Sequence, residues 1–194
     1  MEFDKSLKEY AHQNDVPISF DETMEFLINT INKFKCKTIL EIGTAIGFGS
    51  ISMAQNSCVE HIDTVELNTE TFMIAKQNIS SRGLENKINC INMDAKEYIE
   101  SCTKTYDLIY LDGPKGQYIN YLPKLAELLK PNGIIVADNV FFHGMVTGIT
   151  PVTPGCRSMI KGLHKFVNEI LTNSKYDAQI LNIGDGVAVI RKTL

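Results

Sequence analysis

Short apolar runs alternate along this chain with longer segments whose apolar residues recur every three or four positions. The runs predict buried strands and the periodic segments predict amphipathic helices. Strands are expected at Lys37–Ile42, His61–Leu67, Ile88–Met93, about 106–112 and about 133–139. Between them, helices are expected through about Gln55, at 69–82 with Phe72, Ala75 and Ile79 inward, from Ala95 to about Ser101, and at Tyr118–Leu129. Arg82-Gly83 is a helix stop, because glycine accepts the left-handed C-cap, and Pro131-Asn132-Gly133 is expected to turn the chain into the fifth strand. A last helix is expected at Ser158–Leu171, and two strands, Ala178–Ile183 and Val187–Arg191, flank the hairpin signal Gly184-Asp185-Gly186. Strands alternating with helices imply a mostly parallel α/β sheet of Rossmann-like type, here seven-stranded and closed by a C-terminal antiparallel hairpin.

Two segments stand outside that repeat. Residues 1–36 form a helical N-terminal extension: Leu7, Tyr10 and Ala11 have helical spacing, Val16-Pro17-Ile18 breaks it, and a second helix starts near Asp21-Glu22 with Phe26, Leu27 and Ile31 on one face. This extension is placed to cover a cofactor or form a dimer contact. Residues 144–157 are dense in Gly, Thr and Pro and predict a loop at the ligand edge, not a separate domain. The expectation is one domain over 1–194.

Composition narrows the class. With 194 residues, 44% of them hydrophobic, the chain fits one globular α/β domain. No apolar stretch approaches the ~18 residues that span a bilayer, and the N-terminus lacks a signal-peptide plan; a cytoplasmic protein with no membrane partner is expected. The five cysteines include no close pair and predict reduced thiols. The four histidines are scattered, with no His-x-His or His-Glu-x-x-His motif for a borderline metal. A net charge of −4 argues against an extended nucleic-acid surface, though not against an enzyme that grips one exposed base.

The candidate chemistry lies where strands end, the edge at which open α/β sheets bind ligands. The fourth strand ends on Asp112, followed by Lys115, and the fifth ends on Asp138-Asn139. Two carboxylates and an amide offer only oxygens, which suits a hard divalent cation. The first strand runs into Gly43-Thr-Ala-Ile-Gly47-Phe-Gly49-Ser50. That spacing is Gly-x-x-x-Gly-x-Gly, not Gly-x-Gly-x-x-Gly, and favours S-adenosylmethionine over a dinucleotide, with its carboxylate at the free N–H groups of the helix start. Glu66 lies 23 positions after Gly43, where an acidic residue meets ribose hydroxyls; the alternative is a solvent-facing strand-end carboxylate. Asp94-Ala95 fits either an adenine contact or a helix cap. Asp107 begins its strand, on the wrong edge, and is expected to be structural.

The stretches Leu40-Glu-Ile-Gly-Thr-Ala-Ile-Gly, Asp112-Gly-Pro-Lys-Gly-Gln-Tyr and Asp138-Asn-Val-Phe-Phe-His-Gly together resemble the cation-dependent class I O-methyltransferases of catechol and caffeoyl-CoA type. The resemblance runs from about Leu7 to the end. Its opening part, Tyr10-Ala with Val16-Pro-Ile, Glu22 and Phe26-Leu27, looks most like a bacterial branch that methylates 5-hydroxyuridine at the tRNA wobble position. The resemblance implies Asp112, Asp138 and Asn139 as ligands of Mg²⁺ or another hard divalent cation, and Lys115 as general base; the alternative for Lys115 is a surface lysine paired to Asp112. It implies cofactor contacts from Ser19, Gly43, Thr44, Gly49, Glu66, Asp94 and Ala95, with Asp112 near the amino-acid end of the cofactor. Ser19 stands where the family often has methionine, Gly49 where it usually has serine, and Gly113-Pro114 where alanine or a similar residue is usual. His143 and the 144–157 loop also differ from common members.

The implied substrate is wobble 5-hydroxyuridine in a tRNA anticodon loop, its base stacked on Phe141 or Phe142 and its phosphates near Arg157, Lys161 and Lys165; those three residues otherwise form a solvated helix face. The alternative is a small catechol-like molecule, and a third reading is a cofactor-binding module without catalysis. The resemblance also implies a homodimer.

Overall fold

The structure is a computed structural model that describes residues 3–193. Seven strands form the sheet in the order β3-β2-β1-β4-β5-β7-β6, mostly parallel and ending in an antiparallel pair. The expected Rossmann-like α/β architecture is therefore the one observed. The chain resolves into two compact units, one ending at Tyr98 and the other beginning at Ile99.

In the first unit, helix α1 (Lys5–Gln13) starts on Asp4, whose carboxylate accepts from the Leu7 N–H at 3.1 Å, a side-chain N-cap. The same carboxylate accepts from Arg82 Nε at 2.7 Å, tying the start of α1 to a residue 78 positions further along the chain. Helix α2 (Asp21–Phe34) ends on Lys35 in the left-handed region, φ 54°. Both helices bury one apolar stripe: Leu7 and Ala11 on α1, and Met24, Leu27, Ile28 and Ile31 on α2. Strand β1 (Thr38–Ile42) pairs in parallel with β2 (His61–Glu66), and β2 pairs with β3 (Ile88–Asn92). Helices α3 (Phe48–Ala54), α4 (Thr69–Ser80) and α5 (Ala95–Ser101) follow these strands, and every residue of α3 is buried. Gly83, at φ 64°, ends the turn after α4 as expected.

In the second unit, β4 (Tyr106–Leu111) pairs in parallel with β5 (Leu129–Ala137), and β5 pairs antiparallel with β7 (Val187–Lys192), which pairs antiparallel with β6 (Tyr176–Leu181). Two helices complete the unit, α6 (Tyr118–Glu127) and α7 (Arg157–Thr172); α7 buries Ile160, Leu163, Phe166 and Ile170. Here the expected boundary is corrected. The fifth strand was placed at 133–139 after a turn, but pairing already begins at Leu129, opposite Tyr106. The Pro131-Asn132-Gly133 turn is real, with Asn132 at φ 65°, yet it forms an irregularity inside the strand, because Leu108 next pairs with Ile134. Asp107 pairs with Lys130 at 3.1 Å, as its position at the start of the strand suggested.

Candidate functional site

In the second unit, the last paired positions of β4 and β5 are Leu111 and Ala137. The next residues are Asp112 and Asp138, and the Asp138 N–H donates to the Leu111 carbonyl at 3.0 Å. Side chains alternate faces along a strand, so Tyr110, Asp112 and Asp138 share one face. The Tyr118 hydroxyl lies 2.9 Å from the Leu111 carbonyl and 3.3 Å from that of Asp138, which fastens both strand ends. Its ring meets Phe166 edge-on at 5.4 Å, so a buried aromatic pair supports the pin.

Asp138 is fully buried. Its Oδ1 accepts from the Asn139 N–H at 2.7 Å, and its Oδ2 accepts from the Tyr110 hydroxyl at 2.9 Å. The same hydroxyl lies 3.4 Å from Asp112 Oδ2. Lys115 opens a 3₁₀ turn over Lys115–Gln117 and forms an ion pair with Asp112 Oδ1, its side chain 15% exposed. Its ammonium also lies 5.9 Å from the Tyr118 ring centroid. Burial first, and then the neighbouring Asp112 charge, push the Asp138 carboxyl up to about 6. Burial, followed by the two carboxylate charges, holds the Tyr118 phenol well above its usual 10, so it stays a neutral donor.

This arrangement fits a hard cation. Two carboxylates share the one charge of Lys115, so a net negative charge is left at the strand ends that a cation would offset. Among the described residues no three His, Cys, Asp or Glu side chains are grouped to hold a metal. The third protein oxygen must then come from outside that set, and Asn139 is adjacent in the chain, held at φ 56°, a conformation asparagine tolerates better than most residues.

The long loop leaves this site under tight control. Val140 and Phe141 donate backbone N–H bonds to the carbonyls of Gly186 and Asp185, each at 3.0 Å. The His143 N–H reaches both Asp185 carboxylate oxygens, at 2.8 and 2.9 Å. Phe142 and His143 are left-handed at φ 43° and 53°. The Phe141 ring lies on Gly186, where an added Cβ would come within 2.5 Å of it. The turn carrying Lys115 is set by a second close approach: a Cβ on Gly162 of α7 would meet the Gly116 carbonyl oxygen at 2.5 Å. Residues 144–156 form turns and a short 3₁₀ segment, Pro154–Cys156, in keeping with the expected loop, whose last expected residue, Arg157, instead opens α7.

In the first unit, the glycine turn follows β1 with Gly43, Ala45 and Gly47 all at positive φ (102°, 46° and 86°). The Gly47 N–H donates to the Thr44 carbonyl at 2.9 Å. Glu66, at the end of β2, accepts from the Ala45 N–H through Oε2 and from the Asn68 N–H through Oε1, both at 2.9 Å. The carboxylate expected at a ribose thus also shapes the turn. Thr44 is buried, and its hydroxyl lies 2.7 Å from that of Thr64, which donates to Glu41 Oε2 at 2.6 Å. Because the Thr64 proton is committed to Glu41, Thr44 donates to Thr64, leaving its backbone as the part available to a ligand. Gly49 is buried in α3, and Ser19 is half-buried in the connection between α1 and α2. Asp94 Oδ1 accepts from the Lys96 N–H at 2.8 Å at the start of α5, the capping alternative, and Ala95 is buried behind it.

The structure thus places Gly43, Thr44 and Glu66 together in the first unit, and Asp112, Lys115, Asp138 and Asn139 together in the second. Sequence reasoning missed Tyr110, Tyr118, Glu41, Thr64 and Asp185. A tyrosine deep in an apolar run was the available signal for the first of these, since its hydroxyl must find a partner when buried.

A family model described as O-methyltransferase matches residues 3–193. A Staphylococcus aureus structure described provisionally as a caffeoyl-CoA O-methyltransferase is 34% identical, covers 97% of this chain and 91% of its own, and superposes with a TM-score of 0.90. Caffeoyl-CoA O-methyltransferase 2 of Populus trichocarpa is 28% identical over 190 residues, which are 92% of this chain and 76% of the relative. A Bacillus cereus O-methyltransferase in complex with SAH shares the fold at 21% identity and a TM-score of 0.84, over 100% of this chain and 93% of that one.

Proposed function

The chain belongs to the O-methyltransferase family, and from that premise we propose that it moves the methyl group of S-adenosylmethionine onto a hydroxyl of a catechol- or caffeoyl-CoA-like substrate, using a Mg²⁺-class cation. Relatives described as caffeoyl-CoA O-methyltransferases support this substrate class, and the SAH-bound relative supports the cofactor. The observation that carries the reading is the Asp112–Asp138 carboxylate pair beside Lys115.

In this reading Asp112, Asp138 and Asn139 hold the cation, and the glycine turn with Glu66 holds the cofactor. When bound, the cofactor would supply a sulfonium methyl and the cation would make a bound hydroxyl more acidic. Lys115, held against Asp112, would receive the hydroxyl proton at Nζ after passing its own to water. Tyr118 keeps the two strand ends fixed during this exchange, and Phe141 and the loop after it shield the reacting oxygen from bulk water. Asp94 and Ala95 contact the adenine, and Ser19 and Gly49 line the cofactor from the α1–α2 connection and α3.

A second reading, wobble 5-hydroxyuridine of tRNA, is favoured by one observation. Arg157, Lys161 and Lys165 are exposed on α7, directly after the loop, as phosphate contacts would require. Incubating the protein and S-adenosylmethionine with caffeoyl-CoA, catechol or 5-hydroxyuridine-containing tRNA, with Mg²⁺ or with chelator, separates the two. Cation-dependent methylation of the small acceptors supports the first reading. Methylation of tRNA alone replaces it with the second, and methyl transfer unaffected by chelator overturns the metal assignment in both. The protein is further expected to act as a homodimer in the cytoplasm.

A further inference from the structure

The side chain of Tyr110 is fully buried, and its hydroxyl reaches the carboxylates of both Asp112 and Asp138. Phenylalanine would pack equally well in the apolar run Leu108–Leu111, so packing does not account for the phenol oxygen. A buried O–H requires an acceptor, and here the acceptors are Asp138 Oδ2 at 2.9 Å and Asp112 Oδ2 at 3.4 Å. We propose that Tyr110 is a positioning residue that holds Asp112 and Asp138 converged in the geometry a divalent cation needs. This rests on the metal-site reading above.

Two carboxylates carried side by side on adjacent strand ends repel, and each has a torsion by which to turn away. The other oxygen of each has a partner of its own: Lys115 on Asp112 Oδ1, and the Asn139 N–H on Asp138 Oδ1. The Tyr110 hydroxyl faces both carboxylates. It has a single proton and can bond to either Oδ2, so it partly neutralises whichever oxygen it serves and favours the two oxygens lying near one point. Its ring sits on β4 one pleat before Asp112, so its position is set by the sheet and does not depend on a bound ion. The protein therefore orders its ligand oxygens before the ion arrives, which is how hydrogen-bonding partners behind metal ligands raise affinity. Tyr118 differs in kind. Its hydroxyl touches backbone carbonyls and leaves carboxylate rotation untouched.

Mn²⁺ titration followed by electron paramagnetic resonance, in the presence of SAH, tests this on wild type, Tyr110→Phe and Tyr118→Phe. The first substitution removes one oxygen and keeps the ring, so folding is retained, and a thermal melt checks it. Mn²⁺ affinity is expected to fall roughly 10–100-fold in Tyr110→Phe, with SAH affinity measured without metal unchanged within about twofold. Raising Mn²⁺ is expected to restore kcat, since the defect lies in loading the ion. Mn²⁺ affinity that is unchanged or tighter in Tyr110→Phe overturns the proposal and leaves the metal site standing. Equal losses in Tyr110→Phe and Tyr118→Phe also overturn it, because they would mark general loosening of the strand ends. Absence of Mn²⁺ binding in wild type defeats the metal-site reading itself.

Discussion

Two sets of carboxylates, one in each unit, live under opposite electrostatic conditions. In the first unit, Glu66 accepts two backbone N–H bonds, Glu41 accepts a threonine hydroxyl, and Asp4 holds Arg82, the Leu7 N–H and the Ser6 hydroxyl. In the second, a buried Asp138 stands beside another carboxylate. The result is that Arg82 draws the Asp4 carboxyl down to about 2, whereas burial and Asp112 push Asp138 up to about 6. The carboxylates named in the first unit are each satisfied by donors around them. The pair in the second shares a single lysine, which leaves it one positive charge short of neutral.

The largest effect is expected from breaking the charged side of this contrast. Asp138→Ala should lower methyl transfer by more than ~100-fold, because it removes a proposed ligand to the ion. SAH affinity, measured calorimetrically, should change by less than about threefold; a matching loss of both would mean that the two units do not divide the work as described. The complementary change, Glu66→Ala, strands the Ala45 and Asn68 N–H groups and should weaken SAH binding by roughly 10–100-fold while leaving Mn²⁺ affinity untouched.

Smaller effects probe the scaffolding. Gly186→Ala places a methyl against the Phe141 ring at φ 84°, and should cost about 1–3 kcal/mol in urea unfolding, with kcat/KM reduced through the displaced loop. Asp4→Asn should cost about 1–2 kcal/mol near neutral pH, after discounting the Arg82 pair for solvent screening. The folded Asp4 carboxyl lies below its unfolded value of 3.8. Its contribution is therefore complete above that value and fades as pH falls through about 2, so denaturation midpoints of wild type and variant should converge there.

Both regions were legible in the sequence to different depths. Asp112 and Asp138-Asn139 stood out because each closes an apolar run, and strand ends are where such sheets bind ligands. The glycine turn was equally visible from its spacing. What local patterns concealed were partners brought from afar. Thr44 was read as a cofactor contact, but its hydroxyl is committed to Thr64, 20 residues away. Tyr110 counted as one more apolar residue in a strand, since periodicity does not distinguish a phenol from a phenyl ring. The start of β5 was misplaced because Asn132 does turn the chain, and only pairing of Leu129 with Tyr106 reveals that the ladder continues on both sides of that turn. Asp185 was recognised as a turn former, while its grip on His143, 42 residues upstream, had no local signature.

That grip changes what the end of the chain is for. The final hairpin works as a clasp, and the segment leading away from Asn139 is shut only when the clasp arrives. The two segments therefore travel as a pair: a loop transplanted from a relative should keep its own shape only if the matching turn is moved with it, and a chain shortened by its last dozen or so residues would lose β7, the strand that joins β5 to β6.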